Sequence, residues 1–295
     1  MPNDSEAALL EAFIDRRQGY FEKAVQRFDE AISLDPRNVA AISELGATFF
    51  MIRQFAACER EYDRAIDLAP DHPMFKVLKS EVALMKTADD ATLSSALAAL
   101  PASMKDDRGV MTYRLNLALY QRDWKQATAQ IDRMGGGEDD MGFFGSTRPV
   151  PVGCYSILIA RLEGKQPELD SSLTKPRQQL SQKVQSSGGN AVLLSNLAIV
   201  DALLGKKEDA LAEAKRAVEI LPISKDAMNG PTIMTHLAAV YAWTNEQNLA
   251  FETLEPLTKT PNGLYYGDLK LNPLWDPLRK DPRFERLLAE LAPRD

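Results

Sequence analysis

GYFEKAVQRFDEAISLDP, from Gly19 to Pro36, and RQFAACEREYDRAIDLAP, from Arg53 to Pro70, end on prolines 34 residues apart. Within each, a small residue (Ala24, Cys58), an aromatic (Phe28, Tyr62), an alanine (Ala31, Ala65) and the proline recur at the same offsets. Self-similarity of this period signals stacked helix hairpins, in which small residues allow close helix approach and large ones fill the gaps between neighbours.

The pattern resembles the tetratricopeptide repeat. It returns in AVLLSNLAIVDALLGKKEDALAEAKRAVEILP, with Leu194, Leu197, Ala198, Gly205, Ala210, Ala217 and Pro222 in register. It returns again after Pro231, with Leu237, Ala238, Tyr241 and Ala250. Degenerate units fill the intervals: Pro73 to Leu100 without a glycine turn, Gly109 to Met134 with Trp124 and Ala127, and a longer unit from Val150 to Ser186. In the first unit Glu11 and Asp15 replace the large apolar and aromatic residues usual in the family. Strand signals are nearly absent. The expected architecture is all-α, a right-handed α-solenoid of about seven helix pairs with a C-terminal capping helix. Its organisation reads as N-terminal repeats over 1–134, a glycine-rich inter-repeat loop over 135–150, C-terminal repeats over 151–264 and a capping segment over 265–295. Two roles fit the glycine-rich loop: dividing the array, or folding as a lip that gates its concave face.

Composition narrows the function. With 35 basic and 42 acidic residues the net charge is −7, which opposes a nucleic-acid or anionic-membrane surface. Cys58 and Cys154 lack the spacing of a zinc site or a disulfide framework and read as buried thiols. No apolar run approaches a membrane span, so this segment is expected in the cytoplasm, or outside it if a parent protein carries a preceding membrane helix.

Chemistry finds little footing. Two histidines, His72 and His236, cannot write an HExxH helix, and no GxSxG elbow exists. GGGEDD lacks the Gly-Lys-Ser/Thr ending of a phosphate loop, and Asp139 and Asp140 lack the alternating ligands of a calcium loop. His72 stands before Pro73 as a turn residue. The chain reads as non-enzymatic, with no metal and no cofactor; the remaining catalytic alternative is a helical hydrolase built on His236 and nearby acids.

The resemblance implies that first helices line a concave groove. Carried over by register, the candidate groove residues are Tyr113, Asn116, Tyr120, Tyr155, Arg161, Ser195, Asn196, His236 and Trp243. Amides, phenols and a guanidinium suit the gripping of an extended peptide or protein segment. The alternative is that Tyr113, Tyr155 and Trp243 only fill space between consecutive helices. Some family members clamp chaperone C-termini with lysines and asparagines; here Leu9, Phe13 and Glu44 occupy corresponding positions and oppose that role.

The tail LKLNPLWDPLRKDPRF holds three prolines, each behind Asn or Asp. Asp276 and Asp281 read as helix caps rather than paired catalytic carboxylates. Phe284, Leu287, Leu288 and Leu291 form a helical stripe suited to covering the end of the array. The block from LPISKDAMNGP to this tail also resembles the C-terminal repeat segments of large bacterial signalling proteins headed by a Ser/Thr kinase. No kinase element is present. This resemblance implies a regulatory or sensory part; the alternative is an intramolecular or dimerising arm of a kinase-like parent. Leu9, Leu10 and Phe13 in the first unit have no preceding helix to cover them, so an excised segment or a homodimer through that unit is expected.

Overall fold

The structure is a computed structural model and describes residues 4–135, 140–141, 150–165 and 173–293. Seven helix pairs follow one another: α1 (Ser5–Arg17) with α2 (Phe21–Leu34), α3 (Val39–Met51) with α4 (Phe55–Leu68), α5 (Met74–Thr87) with α6 (Asp90–Ala98), and α7 (Arg108–Tyr120) with α8 (Trp124–Arg133). After them come α9 (Gly153–Leu162) with α10 (Thr174–Ser186), α11 (Ala191–Leu203) with α12 (Lys207–Ile220), and α13 (Gly230–Trp243) with α14 (Gln247–Leu257). The tail adds α15 (Tyr266–Leu271), a 3-10 helix over Pro273–Leu278, and α16 (Pro282–Leu291). A two-residue antiparallel bridge joins β1 (Asp140–Met141) to β2 (Val150–Pro151). The architecture is an all-α solenoid of helix pairs. Most of the glycine-rich stretch lies outside the described residues, and so does the question of whether it gates the groove.

Local chemistry explains the boundaries. Asp4, Asn38, Asp107 and Asn190 open first helices by accepting hydrogen bonds from free backbone amides. Each hairpin reverses through one residue in the left-handed region: Gly19, Arg53, Ala88, Arg122, Gly164, Gly205 and Asn245. Only three of these are glycines, so the others hold a conformation that costs an L side chain about 1–2 kcal/mol. Small residues stand where helices cross: Ala24, Ala31, Cys58 and Ala65 are completely buried. Gly46 has the ring of Tyr62 only 3.2 Å from where a Cβ would sit, the close approach expected of such hairpins. Cys58 and Cys154 are buried free thiols, and burial pushes the Cys58 thiol up to about 12.

The apolar core is divided. One cluster joins α1 to α5 around Phe28, Ile42 and Leu45, and a small one joins Cys58, Tyr62 and Val82. A third links α5, α6 and α7 and takes in Leu271 of α15. The largest runs unbroken from Met111 to Leu287. Leu9 and Phe13 are more shielded than the sequence suggests, since both pack on the first cluster and Phe13 meets Phe28 edge-on at 5.5 Å. Leu10 and Ile14 are the apolar residues of α1 that stay exposed, at 63% and 56%.

The array returns on itself. Arg17 pairs with Asp226, and the Ala227 amide donates to the Arg17 carbonyl. The Asn262 amide donates to the Met51 carbonyl at 2.7 Å. Arg53 donates to the carbonyls of Leu257, Thr260 and Leu264. Further along, Gly267 lies so close to α5 that a Cβ there would sit 1.8 Å from the Leu84 carbonyl oxygen. Arg122 donates to the Leu271 carbonyl at 2.8 Å and pairs with Asp276 at 2.7 Å. α16 packs against α14 and α15 with Phe284 and Leu287 buried, while α15 and the 3-10 helix seat against the earlier repeats.

One cap assignment changes. Asp281 does cap α16, accepting from the Arg283 amide, and its bonds from Arg283 hold its carboxyl down at about 2. Asp276 sits inside the 3-10 helix and joins Arg122 and Arg279 instead. Asn272 is the cap there, accepting from the Leu274 amide at 2.9 Å, because the helix begins one Asn-Pro step earlier than Asp-Pro suggests.

Candidate functional site

The left-handed turn residue sets a register for the first helices. Nine residues before it stand Leu10, Glu44, Tyr113, Tyr155, Asn196 and His236 in six of the seven pairs. Residues at one register share one face of the array. Burial along this line is graded: Leu10 is exposed, Glu44 and Tyr113 are half-buried, and Tyr155, Asn196 and His236 are at 0%.

Within the open part, bonds bind neighbouring units together. Arg16, itself buried, reaches Glu44 at 2.8 Å and Thr48 at 3.1 Å, with its guanidinium over the rings of Phe13 and Phe28. The Tyr113 hydroxyl donates to Glu81 at 2.8 Å. Burial raises the pKa of Glu81, opposed by that hydrogen bond, and burial together with Glu81 raises Tyr113. Asn116 accepts a long bond, 3.4 Å, from the Tyr155 hydroxyl. Together these place Glu44, Glu81, Tyr113 and Asn116 along a face with Phe50, Met51, Leu78 and Met85, all partly accessible.

Tyr120 and Trp243 are engaged by the tail. Tyr120 donates to Asp268 at 3.2 Å, and Trp243 Nε1 donates to the Leu274 carbonyl at 2.9 Å. Asp268 also accepts from Asn272 and Trp275, and burial pushes its pKa up against those bonds. Arg161 is half-buried at the end of α9. Ser195 Oγ lies 2.9 Å from His236 Nδ1 and 2.9 Å from the Val192 carbonyl, with Ser195, Asn196 and His236 all fully buried. A hydroxyl that donates to Val192 accepts from a protonated Nδ1. The nine candidates therefore do not form one open surface: Tyr113, Asn116, Tyr120, Arg161 and Trp243 are partly accessible, and Tyr155, Ser195, Asn196 and His236 lie inside. The Ser195–His236 pair is screened from solvent.

Sequence reading missed Glu81, Phe50 and Met85. Glu81 and Met85 stand on α5, which reverses at Ala88 and lacks the glycine that would have set its register, and Phe50 stands on α3, which reverses at Arg53 and lacks it too. His72 is exposed and stacks on Phe75 at 4.4 Å, as befits a turn. Among the described residues no group of three His, Cys, Asp or Glu side chains could hold a metal ion, and no helix is long and apolar enough to cross a membrane. Away from this face, a shallow recess of about 380 Å³ lies between α15 and α16, lined by Tyr266, Lys270, Arg279, Phe284 and Leu288. Its Arg279 is taken up by Asp276 and by the carbonyls of Lys270 and Asn272.

No family model matches the chain. Among solved structures, the chain is similar to a tetratricopeptide repeat protein from Parabacteroides merdae ATCC 43184, with 10% identity over 97% of this chain and 98% of that one and a TM-score of 0.48. It is also similar to PilW, a type IV pilus biogenesis factor, at 13% identity over 96% and 98% with a TM-score of 0.35. A third is the TPR2AB domain of yeast Sti1 in complex with pHSP90, at 16% identity over 97% and 98% with a TM-score of 0.26. Likenesses this distant carry no activity across.

Proposed function

We propose that the chain is a non-catalytic interaction module that binds a peptide or protein segment along the accessible face of α3, α5 and α7. The observation that carries this is the gradient of burial at one register, from Leu10 at 63% to His236 at 0%. Glu44, Glu81, Tyr113 and Asn116 supply polar contacts there, and Phe50, Leu78 and Met85 supply apolar ones. Arg16 is already committed to Glu44, so the face favours apolar segments over terminal carboxylates. A random peptide display selection against the intact chain tests this. Selected peptides are expected to lose at least tenfold in affinity to Glu81→Lys and to Asn116→Ala. Peptides that bind both variants as they bind the wild type overturn the reading.

A second reading, a regulatory part of a kinase-headed signalling protein that pairs through its first repeat, rests on a separate observation. Ile14 is exposed, whereas Thr48, Leu117, Ile159, Val200 and Val240, at its register in five other pairs, are buried, and Ala83 in the sixth is half-buried. Sedimentation at rising concentration tests the pairing: a dimer abolished by Ile14→Glu supports it, and a monomer throughout removes it.

A further inference from the structure

We infer that the contacts between the α1–α4 turns and the returning chain form a releasable clasp, which sets access to the face assigned above to partner binding. The inference rests on that assignment for its function and on the seam alone for its mechanics.

The seam has two unlike parts. Where α15 meets α5, α6 and α7, Leu271 belongs to an apolar cluster with Val77, Leu84, Leu93 and Leu117, and Gly267 lets the backbones close to contact. Burial of this kind supplies most of the cohesion in folded proteins. Where α1–α4 meet the chain over residues 226–265, no apolar cluster spans the boundary. The clusters holding α1 to α5 contain no residue beyond Val82. That stretch rests on the Arg17–Asp226 pair, the Ala227 and Asn262 amides, the bonds of Arg53, and a single ring stack of Phe50 on Tyr265 at 4.6 Å. The net worth of such bonds is limited, because release returns their groups to water.

Arg53 is the centre of the weaker part. Held in the left-handed region at φ 58°, it projects from the α3–α4 turn into carbonyls at and just beyond the end of α14. A helix C-terminus presents carbonyls without intrahelical partners and favours a cation. Release of Arg53 leaves α1–α4 attached through their packing on α5, which the tail still anchors. Such a swing parts Phe50 from Tyr265 and uncovers Met51 and the edge of the Glu44–Glu81 face. A protein whose binding-competent state is a minor population pays for it in apparent affinity, and loosening the closed state removes that penalty.

The test combines native-state hydrogen exchange with peptide binding on Arg53→Ala. The amides of Ala227 and Asn262, which donate across the seam, are expected to exchange at least tenfold faster than in the wild type. The Asn272 amide, bonded within the α15 segment to Asp268, is expected to keep its rate. Peptides selected against the wild-type face are expected to bind Arg53→Ala at least threefold tighter. Asp226→Asn, which weakens the pair with Arg17 but keeps the acceptor for the Met228 and Asn229 amides, gives the same local pattern at smaller size should Arg53→Ala fail to fold. Unchanged exchange, or acceleration spread evenly over α15 and α13, overturns the clasp. Local acceleration with unchanged peptide affinity overturns its control of access. Peptides indifferent to Glu81→Lys count against the binding face and leave the exchange result to decide the clasp.

Discussion

The first five helices and the chain from α9 onward share one repeat register and use it in opposite ways. In α1 to α5, apolar residues gather in small clusters and the shared face stays partly open. From α9 onward a continuous core absorbs the same face, and Tyr155, Asn196 and His236 lie within it. The turns differ too. Gly19, Arg53, Ala88 and Arg122 reverse the first four pairs and Gly164, Gly205 and Asn245 the last three, so both arginine turns fall in the earlier ones. An arginine in a conformation that glycine would take more cheaply is informative: both Arg53 and Arg122 use the position to reach carbonyls of the returning chain. A repeat motif thus sets the hairpin, and the side chain at its tip decides what the array touches.

The strongest way to break this contrast is Gly267→Val. Its Cβ cannot coexist with the Leu84 carbonyl, so α15 must leave α5 and the open half loses its anchor. We expect a loss of about 3 kcal/mol or more in urea denaturation; a loss below 1 kcal/mol would show that α15 is not seated there.

A middle-sized effect belongs to the later half alone. Asp201, fully buried on α11, makes two bonds to Arg177 of α10, and Glu213 of α12 stands beside them. Burial first, then the charges of Asp201 and Asp209, push Glu213 from 4.5 to about 8, with Arg177 opposing. Folded protein therefore holds this proton more tightly than unfolded chain does. Its stabilising contribution is complete below pH 4.5 and is lost as pH rises toward 8. Because Glu213 keeps some solvent contact, the expected fall is only about 1–2 kcal/mol. Glu213→Gln should flatten that slope in denaturation curves taken from about pH 5 to 9. An unaltered slope would mean that another group carries the titration.

The smallest effect sharpens the turn comparison. Ala88 has φ 61° and no cross-seam bond among those described, so Ala88→Gly should stabilise by about 0.5–1 kcal/mol. Thermal melts check this; destabilisation would show that the Ala88 methyl packs more usefully than its backbone conformation costs.

The hairpins were legible because apolar and small residues recur with the period of a helix pair, and that pattern reports local packing. The turn at Ala88 was not, since nothing in the residue itself announces a left-handed conformation. Tail chemistry was half legible. Asp281-Pro282 starts a helix as written, but Asn272-Pro273 starts one earlier and leaves Asp276 inside it, free to meet Arg122. The candidate face divides for the same reason. Register places Tyr113 and His236 alike, while the continuous core from α9 onward encloses His236 and leaves Tyr113 half-buried, a difference no local pattern encodes.

Those closing contacts join positions about two hundred apart in the chain, 211 for Arg53 and Leu264 and 209 for Arg17 and Asp226. During synthesis the first four helices leave the ribosome and stack on one another long before their distant partners exist. Ring closure is then a late event in the life of the nascent chain, and the edges of α3 and α5 that meet the tail stay bare until it arrives.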